Sequence, residues 1–185
     1  MKILKSLSLI GLALLLVLVG ANVSRADEAK TTDAAKAPAH DYVGTTTCKM
    51  CHSGETKGAM YDIWAKSKHA SATANLPDES KKDTKCLVCH ATGYGKGGYD
   101  PANAELAPKF AGVGCEACHG PGKDYKSMSV MKDKEAAVKA GLIIPKAENC
   151  KTCHEGEVPA GHKERPKFDY ATMWPKIEHH IPKAK

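Results

Sequence analysis

Cys48-Lys-Met-Cys51-His52, Cys86-Leu-Val-Cys89-His90, Cys115-Glu-Ala-Cys118-His119 and Cys150-Lys-Thr-Cys153-His154 together contain all eight cysteines of this 185-residue chain. Each pair has the spacing Cys-x-x-Cys, and each is followed at once by His. With nine His in the chain, four such coincidences arise by chance on the order of a few times in a million, so the pattern is the c-type haem attachment signature repeated four times. The chemistry accounts for the spacing. Two thiols bond the two vinyl groups of one porphyrin, and the adjoining residue coordinates the iron, so His52, His90, His119 and His154 are the expected proximal ligands. A disulfide framework has no use for the following His. A zinc site wants its second pair about 15–20 residues on, whereas the gaps here are 34, 25 and 31 residues.

The composition agrees with four haem c groups as the main buried apolar mass. Aromatic residues make up 5 % of the chain, with two Phe and two Trp, and mean hydropathy is -0.38. Such a chain is poorly supplied for an all-protein core. The fold expected is mainly α with long loops, little or no β, packed round the four haems.

Upstream, Lys2 and Lys5 precede an apolar run from Leu7 to Val19, and Ser24-Arg25-Ala26 offers small residues before Asp27. That is the layout of a secretory signal peptide over residues 1–26. The thirteen residues of this run fall short of the roughly 20 that span a bilayer, so no stable membrane insertion is expected after cleavage. Residues 27–40 are Ala/Lys/Thr-rich without apolar periodicity and read as a flexible leader; the tetrahaem domain is expected over 41–185. The chain carries a net +6, but Lys2, Lys5 and Arg25 lie in the signal, leaving 159 residues at +3. About two propionates per haem would turn that net negative. No basic patch interleaves with aromatics, so a nucleic-acid partner is not supported.

Five His remain for the sixth positions of four irons: His40, His69, His162, His179 and His180. Residues 55–75 read as a helix with Met60, Ile63 and Trp64 as its apolar stripe and Pro77 beyond its end. His69 lies on another face between Ala65 and Ala72, small neighbours that admit a porphyrin plane. Tyr170, Trp174, Ile177 and Ile181 suggest a helical stripe that brings His180, rather than His179, nearer the apolar side, although Pro175 disturbs the phase. His162 sits in the Gly/Pro-rich loop Val158 to Pro166, and His40 lies ahead of the first motif. A short helix is expected from Asp133 to Ala140, closed by Gly141.

Further residues carry a resemblance: the Trp64…His69 segment, Gly93-Tyr-Gly-Lys-Gly-Gly-Tyr99, Gly112-Val-Gly-Cys-Glu-Ala-Cys-His-Gly-Pro-Gly122, and Phe168-Asp169 eleven residues ahead of His179. Together they span residues 42–181. The chain resembles the tetrahaem cytochrome c five-fifty-four family, electron acceptors of hydroxylamine oxidoreductase in ammonia oxidisers. The resemblance implies distal roles for His69 and His179 at the haems of motifs three and four, favouring His179 over the helix-phase choice of His180. It also implies that the motif-two haem, on His90, has no protein sixth ligand. One departure stands out: the family's distal His for the first haem follows motif three, where this chain has Met128 and Met131 and no His. Met128, Met131, His40 and His162 are the alternatives there, or a five-coordinate first haem.

The function expected is an exported, periplasmic or extracellular carrier of electrons between redox partner proteins. Two rivals are kept. One is a reductase of nitric oxide, nitrite or hydroxylamine at a five-coordinate haem. The other is a homo-oligomeric extracellular haem filament in which His40 ligates across a subunit boundary.

Overall fold

The computed structural model describes residues 41–180. The signal peptide over 1–26, the leader over 27–40 with His40, and the last five residues lie outside the described residues. Among the described residues the regular structure is helical: α1 (Thr45–His52), α2 (Met60–Ala65), α3 (Thr84–His90), α4 (Leu106–Phe110), α5 (Cys115–His119), α6 (Met128–Met131), α7 (Lys134–Lys139), α8 (Ala147–His154) and α9 (Tyr170–Met173). Short 3-10 turns join several of them. The β component among the described residues amounts to isolated bridges from Ala91 to Ala111 and Gly112.

The longest of these helices has eight residues, and helices below about 12 residues are marginal alone in water. They persist through capping and packing. Asp83 accepts from the Lys85 N–H at 2.8 Å at the start of α3, and Asp133 accepts from Ala136 at the start of α7. Gly141, with φ +102°, follows α7, as the sequence leads one to expect. The protein's own apolar core is small. Leu87, Ala91, Tyr99 and Phe110 are buried together, with Tyr42, Leu76, Tyr94, Leu106 and Ala107 packed against them. Tyr42 meets Phe110 edge-on at 6.1 Å. Leu87 is the first intervening residue of motif two and is fully buried, so α3 is anchored by a side chain contributing about 1.5–3 kcal/mol.

Polar clamps supplement this core. The Glu116 carboxylate, 2 % exposed, accepts from Val43 N at 2.8 Å, Gly44 N at 2.7 Å and Gly122 N at 2.7 Å. It thereby fastens the start of α1 to α5. Thr92 donates from Oγ1 to Gly112 O at 2.7 Å and accepts from Gly114 N at 2.8 Å. Thr73 Oγ1 accepts from Gly112 N at 2.7 Å and donates to His90 O. The Gly112–Gly114 segment is therefore gripped from both sides. A Cβ on Gly112 (φ +76°) would lie 2.9 Å from His69 O and closer still to Ala70 O, and one on Gly114 would press on Thr45 Oγ1. Only glycine lets these strands of chain approach.

Two helix expectations need correction. The helix expected over 55–75 is reduced to a 3-10 turn at Glu55–Lys57 and α2, which stops at Ala65. Beyond it the backbone is used elsewhere: Ser67 Oγ donates to Trp64 O at 2.6 Å, His69 O accepts from Val113 N at 2.9 Å, and Ala72 O faces His90 Nδ1 at 3.1 Å. One local side-chain bond and two long-range bonds thus replace helix continuation. Likewise α9 ends at Met173 and gives way to a 3-10 turn at Trp174–Lys176. No helix reaches residues 179–180, so the phase that favoured His180 does not apply.

Candidate haem-iron centres

All four motifs occupy the C-terminal part of a helix, and each helix ends on the motif His: α1 on His52, α3 on His90, α5 on His119 and α8 on His154. At 100° per residue, positions i, i+3 and i+4 fall within one stripe about 100° wide. Two thiols and one imidazole thus share a face, as attachment to a single porphyrin edge requires.

The imidazoles are oriented through Nδ1. His90 Nδ1 faces Ala72 O at 3.1 Å and His119 Nδ1 faces Ile143 O at 2.9 Å. A carbonyl only accepts, so in these contacts Nδ1 donates a proton and Nε2 is the nitrogen left to meet a metal. His52 differs, with its Nδ1 3.1 Å from the thioether Sδ of Met60. Burial, first of all, holds the pKa values of His52, His69, His119 and His154 below the ordinary imidazole value, with neighbouring charged groups adding to it. The neutral, ligating form is favoured.

The remaining His sort themselves. His69 lies with its ring centre 6.0 Å from that of His154. His179 stands 5.9 Å from His119, and His162 stands 6.3 Å from His90. His179 donates from Nδ1 to Ile177 O at 3.1 Å, and His162 points its Nδ1 at Lys163 O. An imidazole nitrogen sits about 2 Å from a first-row metal, so two trans imidazoles on one ion leave their ring centres about 6 Å apart. The three pairs meet that test. Among the described residues no three or more His, Cys, Asp or Glu converge to hold a bare metal ion; these imidazoles face one another in twos, which suits the axial positions of a porphyrin iron. His180 instead turns its Nε2 to Glu178, 3.6 Å away, with its side chain 79 % exposed. Met128 is 66 % exposed.

The motifs are also adjacent to one another. As free thiols, Cys48 and Cys115 are hydrogen-bond neighbours, and this contact with burial pushes Cys48 up. Cys89 and Cys153 form a second such pair; the contact with Cys153 draws Cys89 down to about 6, with Arg165 assisting, and raises Cys153. Cys118 is pushed up to about 11 by burial and by Cys150 nearby. Motif one therefore touches motif three and motif four touches motif two, while motif three lies within electrostatic reach of motif four. Phe168 packs on the His154 ring at 5.3 Å, and Arg165 donates to Cys153 O and Gly156 O. Sequence reasoning missed Glu116, Thr73 and Thr92, which hold these motifs in place. Glu116 occupies a variable position of its motif, and nothing local distinguishes it from a surface carboxylate.

Parts of the chain are similar to known proteins. Residues 47–120 match the family model described as cytochrome c554 and c-prime. Cytochrome c-554 of Nitrosomonas europaea is 30 % identical over 150 residues, 65 % of this chain and 59 % of that protein. This chain thus spans under two thirds of the length of that relative. The solved structure of reduced cytochrome c554 from the same organism superimposes with a TM-score of 0.50 at 26 % identity, covering 74 % of this chain and 78 % of that one. Helical segments, tethering motifs and facing imidazoles lead to one conclusion: the chain is similar to cytochrome c554, with residues 47–120 matching that family's model, and it holds four covalent haem c groups.

Proposed function

We propose that this protein is a periplasmic electron carrier that passes electrons between redox partner proteins and performs no bond chemistry. The observation that carries this reading is the closeness of the motif cysteines, with motif one beside three, four beside two, and three within electrostatic reach of four. Haem c, when bound, supplies a one-electron iron couple tuned by its axial ligands and surroundings. The chain's own part is to fix those surroundings. His69 and His154 would hold the iron at motif four, and His179 and His119 would hold the iron at motif three. Carbonyls on Nδ1 of His119 and His179 stop their rings from turning, which keeps the ligand set the same in both oxidation states and the reorganisation small.

Export by the signal peptide over residues 1–26 accords with haem c chemistry. Among the described residues no helix is long and apolar enough to cross a membrane. The filament reading depended on His40, which lies outside the described residues, and no observation favours it. Protein-film voltammetry of the mature chain tests the proposal. Reversible one-electron waves are expected, with no catalytic current on adding hydroxylamine, nitrite or nitric oxide. A sustained catalytic wave with any of them, above that of free haem, would replace the carrier with an enzyme.

A further inference from the structure

The second motif is where this chain's geometry departs from its resemblance to the family, which leaves that haem without a protein sixth ligand. We infer that His162 is the sixth ligand of the motif-two iron, opposite His90, so that this haem is closed to small molecules. The inference rests on haem attachment at Cys86 and Cys89 and stands apart from the carrier role.

Three observations support it. The His90 and His162 ring centres are 6.3 Å apart, in line with the 6.0 Å of His69 and His154 and the 5.9 Å of His119 and His179. Both rings of the pair present Nδ1 to a backbone carbonyl, His90 to Ala72 at 3.1 Å and His162 to Lys163. Each ring thus commits Nδ1 to the protein, and Nε2 is the nitrogen left to meet a metal. Finally, the loop that brings His162 there is secured. His162 N closes a turn on Pro159 O at 3.1 Å, and Gly161 takes φ +82°. Arg165 ties the loop to the end of α8 through Cys153 O and Gly156 O. Cys153 is a hydrogen-bond neighbour of Cys89, and both Arg165 and His162 lie within electrostatic reach of Cys89, so the loop tied to motif four runs beside motif two.

The test uses the mature four-haem protein. In the oxidised wild type, electron paramagnetic resonance should show the motif-two haem as low-spin. Carbon monoxide titration of the reduced protein should leave it unreacted. His162→Ala should convert one haem to high-spin and add one carbon monoxide equivalent per protein. Imidazole added to that variant should restore the low-spin signal, and a crystal structure of its carbon monoxide complex should place the ligand opposite His90. His180→Ala, on an exposed side chain, should change none of these. An unchanged stoichiometry in fully loaded His162→Ala, or a new ligand site opposite another motif, overturns the assignment. Should His162→Ala load poorly, His162→Met serves instead. A thioether ligand raises the potential of one haem relative to imidazole, and four unchanged potentials would equally refute the inference.

Discussion

Removing the Glu116 carboxylate tests the claim that polar clamps, as much as apolar packing, hold the motifs together. Glu116 is 2 % exposed. One oxygen, Oε1, accepts from Val43 N and Gly122 N, and the other, Oε2, accepts from Gly44 N. Glu116→Ala leaves three buried N–H groups without an acceptor, each costing about 1–3 kcal/mol. Relief of the carboxylate's desolvation and entry of water offset part of this, so a net loss of about 3–5 kcal/mol is expected. Glu116→Gln isolates a smaller step. Its carbonyl can replace Oε1, but its NH2 then meets the Gly44 N–H donor to donor, a loss of about 1–3 kcal/mol. Guanidinium unfolding of the haem-loaded proteins, followed by far-UV circular dichroism and tryptophan fluorescence, measures both. The haems stay covalently attached, so wild type and variants are compared as the same chemical species. The order expected is wild type, then Gln, then Ala. If Ala falls within about 1 kcal/mol of wild type, the three contacts contribute little beyond what water supplies, and the account of how α1 is fastened to α5 fails.

Gly112→Ala places a methyl group against His69 O and Ala70 O at a left-handed backbone position. It should cost about 2 kcal/mol or more and loosen His69, seen as a partial low-spin to high-spin change in the oxidised spectrum. His179→Ala should open one haem to carbon monoxide because His179 faces His119, whereas His180→Ala should leave the spectrum alone. Equal effects from the two would refute the sorting of this adjacent pair. Met60→Gln gives His52 Nδ1 an amide oxygen in place of a weak thioether acceptor. The imidazole becomes more basic, so spectroelectrochemistry should show the first haem's potential falling, and a rise would contradict the assigned contact.

Attachment chemistry was legible in the sequence because it is local. Cys, Cys and His at i, i+3 and i+4 fall on one helical face whatever the surroundings, and α1, α3, α5 and α8 carry them so. The small apolar core was also legible, from two Phe and two Trp in 185 residues. Helix length was not. The stripe of Met60, Ile63 and Trp64 is real, yet Ser67, His69 and Ala72 commit their groups to Trp64, Val113 and His90. No periodicity reports such bonds. The choice between His179 and His180 failed by helix phase for the same reason: Trp174–Lys176 is a 3-10 turn, and the helical angle has no meaning beyond it.

The axial partners could not be paired from sequence because they obey no local rule. His69 follows motif one but faces His154 of motif four; His179 follows motif four but faces His119 of motif three; His162 also follows motif four but faces His90 of motif two. All three partners sit outside helices, on segments whose shape comes from turns and from clamps such as Thr73, Thr92 and Arg165. Each pair therefore joins a local tether to a segment at least 60 residues away. A chain with so few long helices gains little stability element by element. Crossed links of this kind supply what the helices lack, because releasing one ligand frees a loop that also packs beside a second motif. Arg165 illustrates the point: it lies between His162, which faces motif two, and Phe168, which packs on the imidazole of motif four. One short stretch of chain thus contributes to the surroundings of both motif two and motif four, and a change in that stretch acts on both together.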